Sequence, residues 1–125
     1  MAQFPRRHSI WSNATLTTAA SPNTVGPLQN LGRQLNPVVI ATLDVQAAPS
    51  GSSPNLLVTV YAWTSANRRV QVGQFTAVTG ILSTPQRITI QNVLEENLEV
   101  EAVVTGSGAS FTQVYCDLLM SSPDA

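Results

Sequence analysis

The side chains able to do chemistry are few and scattered. His8 is the sole histidine and sits beside Arg6 and Arg7. A nucleophilic triad through it would need that N-terminal stretch to be rigid and buried, with a nucleophile and an orienting carboxylate held against it. Cys116 stands alone, so no internal disulfide forms, and its place in an apolar alternation reads as a small buried hydrophobe. Glu95, Glu96, Glu99 and Glu101 make the densest carboxylate cluster. Oxygen ligands of that kind suit calcium, but the spacing of a calcium loop is missing, and the alternative is a solvated acidic face guarding a sheet edge. Gly106, Ser107 and Gly108 lack the strand, loop and helix order of a phosphate cradle and read as a hairpin turn. The reading is therefore of a protein that is not an enzyme and holds no cofactor or metal.

The remaining candidates are aromatic. Tyr61, Trp63, Arg68 and Arg69 lie in a stretch, Asn55 to Gly80, that reads as two strands joined by a tight turn. Leu56, Val58, Val60 and Ala62 alternate with Leu57, Thr59, Tyr61 and Trp63, so the even positions face a core. Pairing Ala62 with Val70 and Val60 with Val72 keeps apolar opposite apolar and leaves Ser65, Ala66 and Asn67 as a three-residue loop, with Asn67 left-handed. The parity slips between Val72 and Phe75, which predicts a bulge at Gly73 and Gln74. On the outer face Trp63 then opposes Arg69 and Tyr61 opposes Gln71, within reach of a guanidinium lying over a ring. Three readings compete for this cluster: cover by its own chain, a protein interface, where Tyr, Trp and Arg concentrate, or a platform for a sugar ring.

The elements that must hold these residues are strands. Val39, Ala41, Leu43 and Val45 alternate with Thr42, Asp44 and Gln46. Further alternations run from Arg87 to Val93, from Leu98 to Val104 and from Phe111 to Met120, with Leu94 to Asn97 and Thr105 to Ser110 as turns. Ile81 and Leu82 add a short pairing before Pro85, and Ala47 to Pro54 reads as an exposed loop. About seven strands with frequent turn signals and no helical periodicity predict an all-β antiparallel sandwich or jelly roll spanning residues 37–125. Residues 1–36 are punctuated by Pro5, Pro22 and Pro27 and predict an extended N-terminal arm with one short strand, roughly Ser9 to Thr18. Its candidate contacts are Phe4, Arg6, Arg7, Ile10 and Trp11.

Composition bounds the partners. The 125 residues suit one domain, and charged residues are 10% of the chain, six basic against seven acidic. No basic field draws nucleic acid or a membrane surface, and a weakly charged surface resists self-association poorly. All six basic residues besides His8 are arginines, which reads either as coding bias or as the choice of an interface. No apolar run follows Arg6 and Arg7, which predicts a cytosolically made protein; the glycosylation pattern at Asn13, Ala14 and Thr15 then carries little meaning.

The small β domain, the proline-punctuated arm, the low charge and the scarcity of catalytic groups together resemble the capsid decoration (cement) proteins of tailed bacteriophages. That resemblance implies a sandwich or jelly roll seated outside a virion shell, often as a homotrimer, bridging subunits of the major capsid protein. On this reading the arm and the Tyr61, Trp63, Arg68 and Arg69 hairpin make adhesive contacts, and a chain lacking Met1 to Thr18 loses shell binding while its sandwich stays folded. The runner-up is a carbohydrate- or receptor-binding sandwich with Tyr61 and Trp63 as its platform; a capsid jelly roll, a tail or neck component and a head-fibre base are further virion roles.

Overall fold

A computed structural model describes residues 6–18, 23–25, 29–30, 38–91 and 97–120. Among the described residues eight strands form one antiparallel sheet: β1 (Arg6–Thr17), β2 (Asn23–Val25), β3 (Gln29–Asn30), β4 (Val38–Val45), β5 (Ser50–Trp63), β6 (Arg69–Gln74), β7 (Gln86–Gln91) and β8 (Asn97–Met120). The all-β antiparallel sandwich expected from the alternations is thus the architecture found, with the sheet nearly closed into a barrel.

Its axis is β8, which other strands flank on both edges. Along one edge β4 pairs with Val114 to Met120 and β5 with Asn97 to Ser110, and the Gln46 amide donates to Gln113 O at 3.1 Å between them. Along the other edge β1 pairs with Ser110 to Met120, β2 with Glu101 to Val103 and β3 with Asn97 and Leu98. Outside β5 and β4 lie β6 and β7, and the stretch between them is tied to β5 and β4: Phe75 N donates to Val58 O, Val78 and Leu56 exchange two backbone hydrogen bonds, and Leu82 N donates to Val45 O. The chain therefore lays down long antiparallel rows: Gln46 to Pro49 separate β4 from β5 and Phe75 to Pro85 separate β6 from β7, while β8 runs unbroken and bends. Folding at those interruptions brings the apolar faces together: β6, the end of β5 and the start of β8 form one leaf with β2 and β3, while β7, β4, the end of β8 and β1 form the other.

The fold line is made of residues with unusual backbone. Gly51, Ser53, Gly106 and Gly108 all have positive φ, and the β5–β8 register shifts twice between Ser50 and Asn55. A Cβ on Gly106 would lie 2.7 Å from the carbonyl oxygens of Ser52 and Ser53, so only glycine lets the two backbones approach there. This corrects the hairpin expected at Gly106 to Gly108: β8 runs through these residues and bends, because pairing to β5 continues on both sides of them. It also shortens the expected loop before the hairpin, since Ser50 to Pro54 already belong to β5, though Ser50 to Ser53 are exposed.

Both leaves pour apolar residues into one cluster. Val39, Ala41, Leu43 and Val45 face Leu56, Val58, Val60 and Ala62 and the inward side of β8, and all eight named residues are fully buried. At about 25 cal/mol per Å² of apolar surface, this burial is the main drive for the fold. The N-terminal segment joins the same core. Rather than an arm lying off the domain, β1 is a sheet strand whose Ile10, Trp11 and Leu16 are buried. Ile10 and Trp11 are adjacent yet both point inward, because the register shifts between Ser9 and Trp11 and again around left-handed Asn13. A bulge of this kind breaks period-two reading, which is why only Ile10, Ala14 and Leu16 signalled a strand.

Candidate functional site

The hairpin of β5 and β6 forms as its sequence demands. Thr64 N donates to Arg68 O at 2.7 Å, Asn67 N donates to Thr64 O at 3.0 Å and Asn67 has φ 60, which closes the three-residue loop Ser65, Ala66 and Asn67. Ala62 faces Val70, Trp63 faces Arg69 and Tyr61 faces Gln71. The bulge falls one residue earlier than expected: Val60 opposes Gly73, so Val72 is the extra residue. Gly73 has a separate reason to be glycine. A Cβ there would lie 3.0 Å from the Ile90 side chain and 3.1 Å from that of Ile88, both on β7. A second stitch closes the same side, where the Gln86 amide donates to Thr76 O and accepts from Thr76 N, both at 2.9 Å, as a neighbouring strand would.

On the outer face the side chains converge. The Arg69 guanidinium carbon lies 4.0 Å from the centre of the Tyr61 ring. Its Nη1 donates to Glu99 Oε1 at 2.9 Å and its Nη2 reaches Glu101 Oε2 at 3.4 Å. Those carboxylates come from β8 by the same register, since Tyr61 opposes Glu99 and Thr59 opposes Glu101. Burial works against the Arg69 charge, but the hydrogen bond it donates to Glu99 and the charge of Glu101 outweigh it and push its pKa up. Glu101 is only 8% exposed, so loss of Arg69 would leave a buried carboxylate without its ion-pair partner. The Gln74 amide donates to Thr59 Oγ1 at 3.0 Å at the end of the cluster.

This arrangement corrects the acidic edge. Glu99 and Glu101 belong to a strand flanked on both sides and clamp an arginine, so they are not a solvated guard; Glu95 and Glu96 lie outside the described residues. Among the described residues no group of three metal-ligating side chains gathers.

The other expected contacts are dispersed. Ile10 and Trp11 are core, and Arg7 on β1 is exposed with its Nε 3.4 Å from Asp117 Oδ2. Arg6 opposes Met120 through its backbone, and Phe4 lies outside the described residues. Trp63 is half-buried, and its indole nitrogen is buried without a hydrogen-bond partner among the described residues. Arg68 at the hairpin tip is exposed, and so is Val70, at 45%. Val70 departs from the expected core face although it opposes buried Ala62, because β6 is an edge strand of the sheet. Cys116 is buried as expected; burial, with Asp117 adding to it, pushes its thiol pKa up to about 12, far from a reactive thiolate.

The sequence reading missed Tyr115 and Asp117. They alternate with buried Val114, Cys116 and Leu118, a signal that would have placed them outward beside Thr42 and Asp44.

No protein-family model matches the chain, and no curated protein matches it. Solved structures do. A chain in the structure of infectious bursal disease virus, Gx strain, superposes with TM-score 0.62 and 10% identity over 98% of this chain and 33% of that one. A chain of the Gt strain gives TM-score 0.55 and 13% identity over 95% of this chain and 32% of that one. This chain thus spans about a third of the length of the viral chains it matches. A family 16 carbohydrate binding module aligns at TM-score 0.41 and 16% identity over 92% of this chain and 73% of that one, too loose a superposition to bear on function. At such identities the viral likeness defines the fold class, an antiparallel β-sandwich.

Proposed function

We propose that the chain is a non-enzymatic structural protein of a virion, and specifically a decoration (cement) protein that sits on the outside of a shell and bridges subunits of its major capsid protein. The observation that carries this reading is the superposition of nearly the whole chain on part of a chain from infectious bursal disease virus. The character of the polar cluster supports it. Arg69, Tyr61, Glu99 and Glu101 are engaged with one another and stiffen a leaf rather than waiting for a substrate. A buried thiol with a raised pKa also makes a poor nucleophile.

Burial of Ile10 and Trp11 moves the adhesive surface off the N-terminal strand and onto the hairpin tip, where Arg68 and Val70 are exposed side by side with Ala66. Contacts of this size are weak singly and gain strength by repetition on a symmetric lattice, with a trimer as the favoured unit. The test is co-sedimentation of the purified chain with shells of the virus that encodes it. Wild type is expected in the pellet, and a double variant with Arg68→Glu and Val70→Glu is expected in the supernatant with its melting temperature unchanged. Wild type left in the supernatant contradicts the reading.

A further inference from the structure

We infer that the outer face of the second leaf binds a neutral oligosaccharide in a groove that crosses β1, β8, β4 and β7. The register builds its floor: Ser9 opposes Asp117, Asp117 opposes Thr42 and Thr42 opposes Arg87, giving one row of outward side chains perpendicular to the strands. Beside that row Tyr115 opposes Asp44. Thr84 and Pro85, which precede β7, also line the space, and it falls into two parts of about 320 and 340 Å³ that share Thr42 and Pro85.

Charge and polarity select the ligand. Asp44 and Asp117 balance Arg7 and Arg87, so the groove as a whole favours a neutral guest, and the two carboxylates repel a phosphate or sulfate chain. The exposed large hydrophobics among the described residues, Val70 and Ile81, lie outside the groove, and Trp11, which lines it, is only 9% exposed, so the groove offers little of the apolar anchor surface that protein interfaces use. Hydroxyls of Ser9, Ser12, Thr42 and Thr84 instead alternate with carboxylates and guanidiniums, groups that bond vicinal diols in pairs, while Tyr115 and Pro85 supply flat apolar surface for a pyranose face. Asp44 is held by the Gln46 amide at 2.9 Å and Asp117 by Arg7 at 3.4 Å, which fixes both acceptors before a guest arrives. The cluster at Tyr61 differs in this respect, because its guanidinium and carboxylates already satisfy one another.

The inference does not rest on the virion reading, and its test uses other residues. The full chain is titrated by calorimetry with tetrasaccharides of β-1,4-linked glucose, mannose, xylose and N-acetylglucosamine and of α-1,4-linked glucose, with a sulfated heparin tetrasaccharide alongside. At least one neutral probe is expected to bind. Asp44→Ala removes one charge-assisted acceptor and is expected to weaken that binding about tenfold. Thr42→Arg fills the shared middle of the groove and is expected to abolish it, while Gln71→Ala on β6 of the opposite leaf leaves it unchanged. Melting curves confirm that each variant is folded. Failure of every neutral probe to bind overturns the inference, as does tighter binding of the sulfated probe, or binding that survives both groove variants.

Discussion

The two outer faces of one folded sheet are built from similar side chains and end in different states. On the first leaf an arginine, a tyrosine and two glutamates meet across three adjacent strands and bind one another. On the second leaf two arginines, a tyrosine and two aspartates are spread over four strands: Asp117 pairs with Arg7, and Arg87 makes no ion pair among the described residues. Residue type alone does not separate these outcomes. Register does, because it sets whether opposite charges land within a side chain's length or one strand too far apart.

The strongest way to break the comparison is to remove what both leaves share. Deleting Met1 to Thr18 strips β1 from β8 and takes Ile10, Trp11 and Leu16 out of the core, so the truncated chain is expected not to fold. Circular dichroism should show lost strand signal, in contrast to the folded remnant that an external arm would leave. Trp11→Ala alone should cost about 3–5 kcal/mol by chemical denaturation. At the fold line Gly106→Ala should cost about 2–3 kcal/mol, since it combines a positive φ with a backbone clash.

Smaller changes sharpen the contrast between the faces. Arg69→Ala leaves Glu101 buried without its partner and should destabilise by about 1–2 kcal/mol after allowance for the partial exposure of Arg69. Arg7→Ala, from an exposed pair on the other leaf, should change stability by less than about 0.5 kcal/mol. Equal effects in the two variants would erase the distinction drawn between the leaves.

Cys116 offers a pH test. Its thiol ionises near its ordinary value of 9.0 in the unfolded chain and near 12 in the folded one, so the unfolded state binds fewer protons between those values. Stability from this group is therefore complete below pH 9 and is lost as pH rises toward 12. Denaturation curves of wild type and Cys116→Ala should differ less at pH 10.5 than at pH 8, and a constant difference would contradict the burial.

Much of this fold was legible in the sequence because period two survives wherever a strand is regular. The inward sets of β4 and β5, the loop at Asn67 and the opposition of Trp63 to Arg69 all followed from alternation. What escaped was carried by irregularity and by distance. Bulges at Ile10 and near Asn13 hid β1 as a loose arm, and Gly106 and Gly108 read as a turn because a bending strand and a reversing one use the same residue. Neither the clamp of Glu99 and Glu101 on Arg69 nor the row from Ser9 to Arg87 was visible from local pattern, since each needs the order in which distant strands stand side by side.

The most direct test of the account as a whole is immunogold electron microscopy of intact virus particles with an antibody raised against the purified chain. Gold on the outside of full, unbroken shells is the predicted result. Particles that stay unlabelled both intact and after disruption would contradict a virion role, and label appearing only after disruption would contradict a place on the outer surface.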